Sequence, residues 1–322
     1  MLLPWLWASV HAVMSALATV LLLCWGRSHL RLDLPGERRS HQTATPRGGG
    51  LAIVLSVLIG DFIAVFFWPE LAIYLFISAI GLALIAWIGW LDDRRSMPIR
   101  ERLMVHAFAS ALLAGLVYFS SDNLISAAYI FVCALVLINV WNFMDGINGL
   151  AVSQTALIAF VYTLTLPLPI CLLPMALGFA CVGFIPFNFP KARLFLGDSG
   201  SCSLGYSLAT CLSYVVVHEP AWLMISWLPL SVFLVDAGLT LCWRIVTGEH
   251  WWKPHAQHVY QRAARCYASH TPVTLIYFFF SSVTCGLFIF AHHLPSLHAM
   301  MFALLWGGVL SICWLIFFIT FK

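Results

Sequence analysis

Two adjacent carboxylates, Asp92-Asp93, stand directly after an apolar run and before Arg94-Arg95. Neighbouring acids repel one another, so such a pair invites a metal ion or forces one acid to keep its proton. A third acid, Asp198, lies in Asn188-Phe189-Pro190-Lys191-Ala192-Arg193-Leu194-Phe195-Leu196-Gly197-Asp198-Ser199-Gly200-Ser201. It reads as a metal ligand, with Gly197, Gly200 and the hydroxyls of Ser199 and Ser201 lining an anion site.

Three more segments carry polar groups of the same kind. His41-Gln42-Thr43-Ala44-Thr45-Pro46-Arg47-Gly48-Gly49-Gly50 precedes an apolar run. Its glycines, Gly49 among them, would let backbone N–H groups approach a ligand at a helix start, and Arg47 offers a planar fork for phosphate oxygens. Asn139-Val140-Trp141-Asn142-Phe143-Met144-Asp145-Gly146-Ile147-Asn148-Gly149 ends a run with two amides and then an acid in a Gly-punctuated turn. Carboxamides suit base or sugar hydroxyls, and Asp145 suits a metal or phosphate partner. The last segment holds His250, Lys253, His255, His258, Tyr260, Gln261 and Arg262. His255 and His258 lack a third ligand in a zinc pattern, so phosphate hydrogen bonding is the better reading. The Gly-Asp-Ser-Gly run resembles the nucleophile segment of trypsin-like proteases, but those are β-barrels and this one joins two apolar runs. A Ser199 nucleophile is therefore not expected.

The elements that must position these segments are apolar. Of 322 residues, 62% are hydrophobic and 9% charged, against roughly 25% charged in soluble domains. A cytosolic enzyme, a disordered chain and a nucleic-acid binder are excluded. Apolar runs occur at 2–26, 50–68, 71–91, 103–120, 124–141, 150–166, 170–187, 201–217, 221–243, 273–291 and 297–321. They are too long for barrel strands and lack period-two alternation. The expected fold is an all-α polytopic membrane bundle of about 11 transmembrane helices, forming one integral membrane domain over 1–322. The first run has no basic residue before it and Arg27 after it, so it is not read as a signal peptide. With the N-terminus outside and the C-terminus cytoplasmic, all 16 Lys and Arg fall on one side. That asymmetry fixes orientation and span count. All five polar segments then lie on the cytoplasmic face.

Cysteine adds an exclusion: nine of the 10 lie in or at the ends of the runs, so neither a disulfide framework nor a CxxC metal site is expected. Asp61 and Asp236 sit within runs, where a carboxylate is a functional candidate by default. Asp236 precedes Arg244 by about two turns and could stack with it, while Asp61 reads as a neutral, hydrogen-bonded interhelical residue. His11, His106, His292 and His293 read as packing or interfacial residues. A water-soluble phosphate compound with Mg²⁺, meeting a lipid reactant from the bilayer, is the simplest occupant of such a face.

Thr45-Pro46-Arg47-Gly48-Gly49-Gly50, Asp92-Asp93, Asn142-Phe143-Met144-Asp145-Gly146, Phe195-Leu196-Gly197-Asp198-Ser199-Gly200-Ser201 and His255-Ala256-Gln257-His258-Val259-Tyr260-Gln261-Arg262 occur in an order that resembles a known family. It is that of the polyprenyl-phosphate N-acetylhexosamine-1-phosphate transferases, or glycosyltransferase family 4. The resemblance spans about residues 30–265, and the His-x-x-His-Val-Tyr-Gln-Arg form is similar to the bacterial O-antigen and enterobacterial-antigen branch. It implies a bacterial inner-membrane enzyme that moves an N-acetylamino-sugar 1-phosphate from a UDP-sugar to undecaprenyl phosphate, releasing UMP. It also implies Mg²⁺ as cofactor and allows a homodimer. By the matching positions, Asp198 would ligate Mg²⁺, Asp92 would deprotonate or orient the lipid phosphate, and Asp93 would support it. Asn142 and Asp145 would lie by the nucleotide, with Arg47, His255, His258 and Arg262 on phosphates or sugar. Many members carry an acid where this chain has Asn148, which can hydrogen-bond uracil or ribose but cannot act as a base. The UDP-sugar, and whether the route has one step or two, stay open. Membrane prenyltransferases and transporters are the rival readings. The former want a third acid after Asp92-Asp93, and the latter place their polar groups near mid-membrane.

Overall fold

In the computed structural model, the described residues are 2–29, 32–33, 44–250 and 255–321. Arg31, Arg38, Arg39, His41, Lys253 and Lys322, which figured in the charge and motif readings, lie outside them. The helices are α1 (Leu2–His29), α2 (Leu51–Phe67), α3 (Ala72–Arg94), α4 (Ile99–Ser121), α5 (Leu124–Phe143) and α6 (Leu150–Thr165). They continue as α7 (Leu172–Asn188), α8 (Asp198–His218), α9 (Ser231–Val246), α10 (Val259–Cys266), α11 (Thr271–Ala291) and α12 (Ser296–Thr320). Two two-residue strands, β1 (Leu32–Asp33) and β2 (Thr45–Pro46), pair antiparallel. The protein is an all-α, multi-pass membrane bundle.

Among the described residues, eight helical segments are long and apolar enough to cross a membrane. Three other apolar runs form the shorter helices α2, α6 and α7, of 17, 16 and 17 residues. At 1.5 Å per residue these reach about 25 Å, short of a roughly 30 Å hydrocarbon core. The apolar runs locate the helices well, with one correction. The run expected at 221–243 begins with 3₁₀ turns at Pro220–Trp222 and Leu228–Leu230, and α9 starts only at Ser231. Pro220 and Pro229 each remove a backbone donor, so a continuous helix through them is disfavoured.

The core is organised around α8. Its apolar window is 89% buried, against 22–44% in the other seven long segments. Ser199, Gly200, Ser201, Ser203, Gly205, Ser207 and Ala209 give it a narrow waist, and small residues let membrane helices approach closely. It packs against α3, α4, α5 and α6. The hydroxyls of Ser201, Ser203 and Ser213 turn back onto the chain's own backbone, as in Ser203 Oγ donating to the Ser199 carbonyl at 2.7 Å, so burial leaves them paired. The N-terminus of this central helix carries Asp198.

Candidate active site

Three backbone segments meet at the start of α8. The chain after β2 runs beside residues 195–196: Phe195 N donates to Pro46 O at 2.9 Å, Gly49 N to Phe195 O at 2.8 Å, and Gly50 N to Leu196 O at 3.0 Å. A Cβ on Gly50 would run into Gly200 Cα. On the other side, a Cβ on Gly89 of α3 would lie 2.6 Å from Asp198 C and O and Ser199 Cα. Glycine at 50 and 89 is thus what lets a loop, α3 and α8 touch backbone to backbone.

That contact places the two adjacent acids differently. Asp93, 6% exposed, turns into the protein and caps α8. Its Oδ1 accepts from Asp198 N at 2.9 Å, and its Oδ2 accepts from Ser199 N at 3.0 Å and Ser199 Oγ at 2.8 Å. A carboxylate there satisfies two helix-end donors and meets the positive end of the helix dipole. Asp92 instead accepts Met97 N at 2.6 Å and Arg102 Nη1 at 2.7 Å. The same Arg102 nitrogen lies 3.2 Å from Asp198 Oδ2, and Arg47 Nη2 lies 3.7 Å from Asp198 Oδ1. Arg47 Nε is 3.7 Å from Asp33 Oδ2. Asp198 therefore stands between two guanidinium groups, with Asp92 across Arg102.

The loop after α5 closes the site. Asn142 Nδ2 donates to Ser201 Oγ at 3.1 Å, and Ser201 Oγ donates to Gly197 O at 3.1 Å. Half-buried Asp145 has its carboxyl raised well above the usual range, first by burial and then by the fields of Asp198 and Asp93, with Arg47 opposing. Buried Asn188 staples two loops together, accepting Gly149 N at 2.8 Å and donating to Leu194 O at 2.9 Å. On α10, Tyr260 Oη donates to Phe143 O at 2.8 Å. His258 stacks on Phe143 with centroids 6.4 Å apart, and His255 lies 4.9 Å from His258. His255 is pushed down to about 4 by burial and by the neighbouring charges of His258 and Arg244, so it is neutral at neutral pH.

Several expectations change. The N–H groups of Gly49 and Gly50 are spent on residues 195–196 and are not offered to a ligand. The anion site expected around Ser199 and Ser201 is closed, because Asp93 takes Ser199 and Gly197 takes Ser201. Asn148 donates its side-chain amide to Pro190 O at 3.0 Å, while its backbone contacts His270 and Thr274. Arg262 is held by Gln257 O at 2.9 Å and Phe318 O at 3.3 Å, with its guanidinium 3.8 Å over the Phe318 ring. It is not among the groups around Asp198. Arg244 pairs with Glu249 at 2.6 Å, not with Asp236. Asp61 is buried in a small cavity lined in part by Ser78, Tyr206 and Tyr214. His11 and His106 are buried packing residues.

Sequence reading missed two residues near the site, Asp33 and Arg102, the latter counted only as a topology charge. Arg94, Arg95 and Arg100 lie in the same stretch, so nothing in the sequence singles out Arg102.

The donor set suits a hard divalent cation. Asp198, with Asp92 across Arg102, offers carboxylate oxygens, whereas both oxygens of Asp93 are taken by the α8 cap. Among the described residues no group of three or more His, Cys, Asp or Glu converges to hold a metal. A Mg²⁺ ion here would take one or two protein carboxylates and complete its shell with phosphate and water, as is usual for that ion.

A membrane bundle with a carboxylate–guanidinium cluster at the buried start of its central helix has the makings of a phosphotransferase. The family model Glycosyl transferase family 4 matches residues 75–216 of the chain. The match includes Asp92, Asp93, Arg102, Asn142, Asp145 and Asp198. The chain is 26% identical over 288 residues to the decaprenyl-phosphate N-acetylglucosaminephosphotransferase of Mycobacterium leprae, covering 75% of this chain and 72% of that one. It is 29% identical over 205 residues to the undecaprenyl-phosphate alpha-N-acetylglucosaminyl 1-phosphate transferase of Thermotoga maritima, covering 62% of each. It is 25% identical over 257 residues to the phospho-N-acetylmuramoyl-pentapeptide-transferase of Chlorobium phaeobacteroides, covering 63% and 69%.

Proposed function

We propose that the protein transfers the sugar 1-phosphate of a UDP-activated N-acetylamino sugar to undecaprenyl phosphate, releasing UMP, at the cytoplasmic face of a bacterial inner membrane. The product, a lipid pyrophosphate sugar, would start O-antigen or related surface-polysaccharide assembly. One observation carries the reading: Asp92 and Asp198 face each other across Arg102, with Arg47 on the far side of Asp198. The names of the three relatives support the same class of reaction.

Phosphoryl transfer asks a protein for positioning and charge neutralisation more than for covalent help. An oxygen of the lipid phosphate attacks the phosphorus that bears the sugar. That P–O bond forms as the bond to the UMP oxygen breaks, and UMP leaves with the electron pair. Asp92 orients the attacking phosphate and takes a proton it still carries. Arg47 and Arg102 neutralise the phosphate oxygens, while Asn142 and the Asp145 turn hold the nucleotide side. Mg²⁺ held by Asp198 would supply further positive charge to the donor pyrophosphate. Asp93 holds Asp198 in place through the α8 backbone. His255, neutral at neutral pH, hydrogen-bonds without adding charge.

Purified protein with undecaprenyl phosphate, Mg²⁺ and a panel of UDP-N-acetylamino sugars should release UMP from at least one donor. No release from any donor, with a known transferase active in parallel, overturns the proposal.

A further inference from the structure

We infer that Asp236, deep in α9, is a positioning residue that holds the 255–262 segment through the N-terminus of α10 and through His258. The inference rests on the transferase reading above for its kinetic consequence. Asp236 is 2% exposed, and an acid so buried in a membrane bundle is a functional candidate by default. Its partners show that it does not bind substrate itself. Oδ1 accepts Val259 N at 3.0 Å, Thr240 Oγ1 at 3.2 Å and Trp314 Nε1 at 3.3 Å. Oδ2 accepts Tyr277 Oη at 2.6 Å and Tyr260 N at 3.3 Å. A carboxylate offers about four lone-pair sites, and five donors from α9, α10, α11 and α12 use them up.

Two of those donors are the first backbone N–H groups of α10. That helix has eight residues, too few to persist without tertiary support. Val259 N and Tyr260 N go to Asp236, and Gln261 N and Arg262 N go to His258 O at 3.0 and 3.1 Å. The device repeats what Asp93 does for α8: a buried acid from one span ends the next motif-bearing helix. Asp236 also faces a histidine across a longer gap. His258 Nδ1 lies 3.8 Å from Asp236 Oδ1 and, though buried, makes no hydrogen bond. With Nδ1 turned to the carboxylate, Nε2 is the nitrogen left to meet a ligand. The ring is then packed between Phe143 and Tyr260, at centroid distances of 6.4 and 5.9 Å. Phe143 adjoins Asn142, so Asp236 fixes where the histidines stand relative to the nucleotide side of the site.

The test uses full-length protein in lipid nanodiscs and the variants Asp236→Asn, His258→Ala and the double variant. Asp236→Asn keeps the shape but puts an amide NH₂ where one acceptor oxygen was. It should lower kcat by about 10- to 100-fold, as for other carboxylates that orient a working histidine, with KM for the lipid phosphate within about twofold. Because Asp236 acts through His258, the double variant should be no slower than the slower single one. Multiplying effects, or a kcat for Asp236→Asn within about threefold of the parent, would overturn the inference. Amide hydrogen exchange provides a readout independent of activity. Asp236→Asn should speed exchange in 255–266 and leave α3 and α8 unchanged, and unchanged exchange in 255–266 would also overturn it. If the parent protein turned over no donor, the transferase reading would fall, while the exchange result would still decide the placement of α10.

Discussion

Gly89→Ala puts the geometry of the site to a quantitative test. The added methyl would sit 2.6 Å from Asp198 C, Asp198 O and Ser199 Cα, whereas ordinary contacts begin at 3.4 Å. All three neighbours are backbone atoms at the start of α8, so no side chain can swing aside. Relief requires α3 and the α8 N-terminus to separate by about 1 Å. Overpacking of this kind costs about 1–3 kcal/mol. The same movement stretches three hydrogen bonds to Asp93, now 2.8–3.0 Å long, and bonds to charged groups contribute about 1.5–3 kcal/mol each. Loss of one such bond with the packing cost gives roughly 2.5–6 kcal/mol of destabilisation. For catalysis, a displacement of about 1 Å at Asp198 should cost about 100-fold in kcat. The assay is UMP release alongside thermal unfolding in the same detergent. Gly115→Ala and Gly286→Ala are the controls, because a Cβ at either position meets nothing within 4 Å. They should match or slightly exceed the parent in stability and match it in rate. A Gly89→Ala protein with the parent's melting temperature and kcat would refute the reasoning, since α8 would then not be held where the backbone contact places it.

Asp198→Asn should abolish Mg²⁺-dependent turnover while the protein stays folded by gel filtration and thermal melting; near-normal turnover at any Mg²⁺ concentration would refute its role. Arg102→Gln removes the positive charge that one nitrogen, Nη1, holds between Asp92 and Asp198. It should lose about 10- to 100-fold in kcat/KM, or about 1.4–2.7 kcal/mol of transition-state stabilisation, and full activity from the glutamine variant would show that the bridge is dispensable. His255 gives a pH prediction. Its folded pKa of about 4 lies below the usual 6.5, so the unfolded chain binds more protons between those values and stability rises with pH across that window. Compared with His255→Gln, the parent should hold its melting temperature above pH 6.5 and lose it progressively toward pH 4. Parallel melting curves from pH 7 to pH 4 would contradict the burial of His255.

Hydropathy located the helices because in a membrane every span must satisfy its own backbone, and about 20 apolar residues is the length that does so. The turn at 219–230 escaped this reading because its residues are as apolar as a span, and only Pro220 and Pro229 hint that they do not form one. The polar segments were equally legible, since charges and amides are rare enough in this chain to stand out by position. Their division of labour was not. Successive residues on a helix point about 100° apart, so which of Asp92 and Asp93 faces the site depends on how α3 is rotated against α8. That rotation is set by the close approach at Gly89. Ser199 and Ser201 looked like ligand groups because hydroxyls beside an acid usually are, but Asp93 and Gly197 occupy them.

The sequence by itself thus determined a multi-pass helical membrane protein, the order of its motif-bearing loops and the identity of nearly all the acids that gather. Those features depend on composition along the chain. The tertiary structure alone decided that Arg102 bridges Asp92 and Asp198, that Asp93 and Asp236 cap α8 and α10, and that Arg262 and Asn148 are spent elsewhere. Each of those outcomes includes a contact between residues from 10 to 122 positions apart, fixed by helix rotation and close packing, which no local pattern encodes.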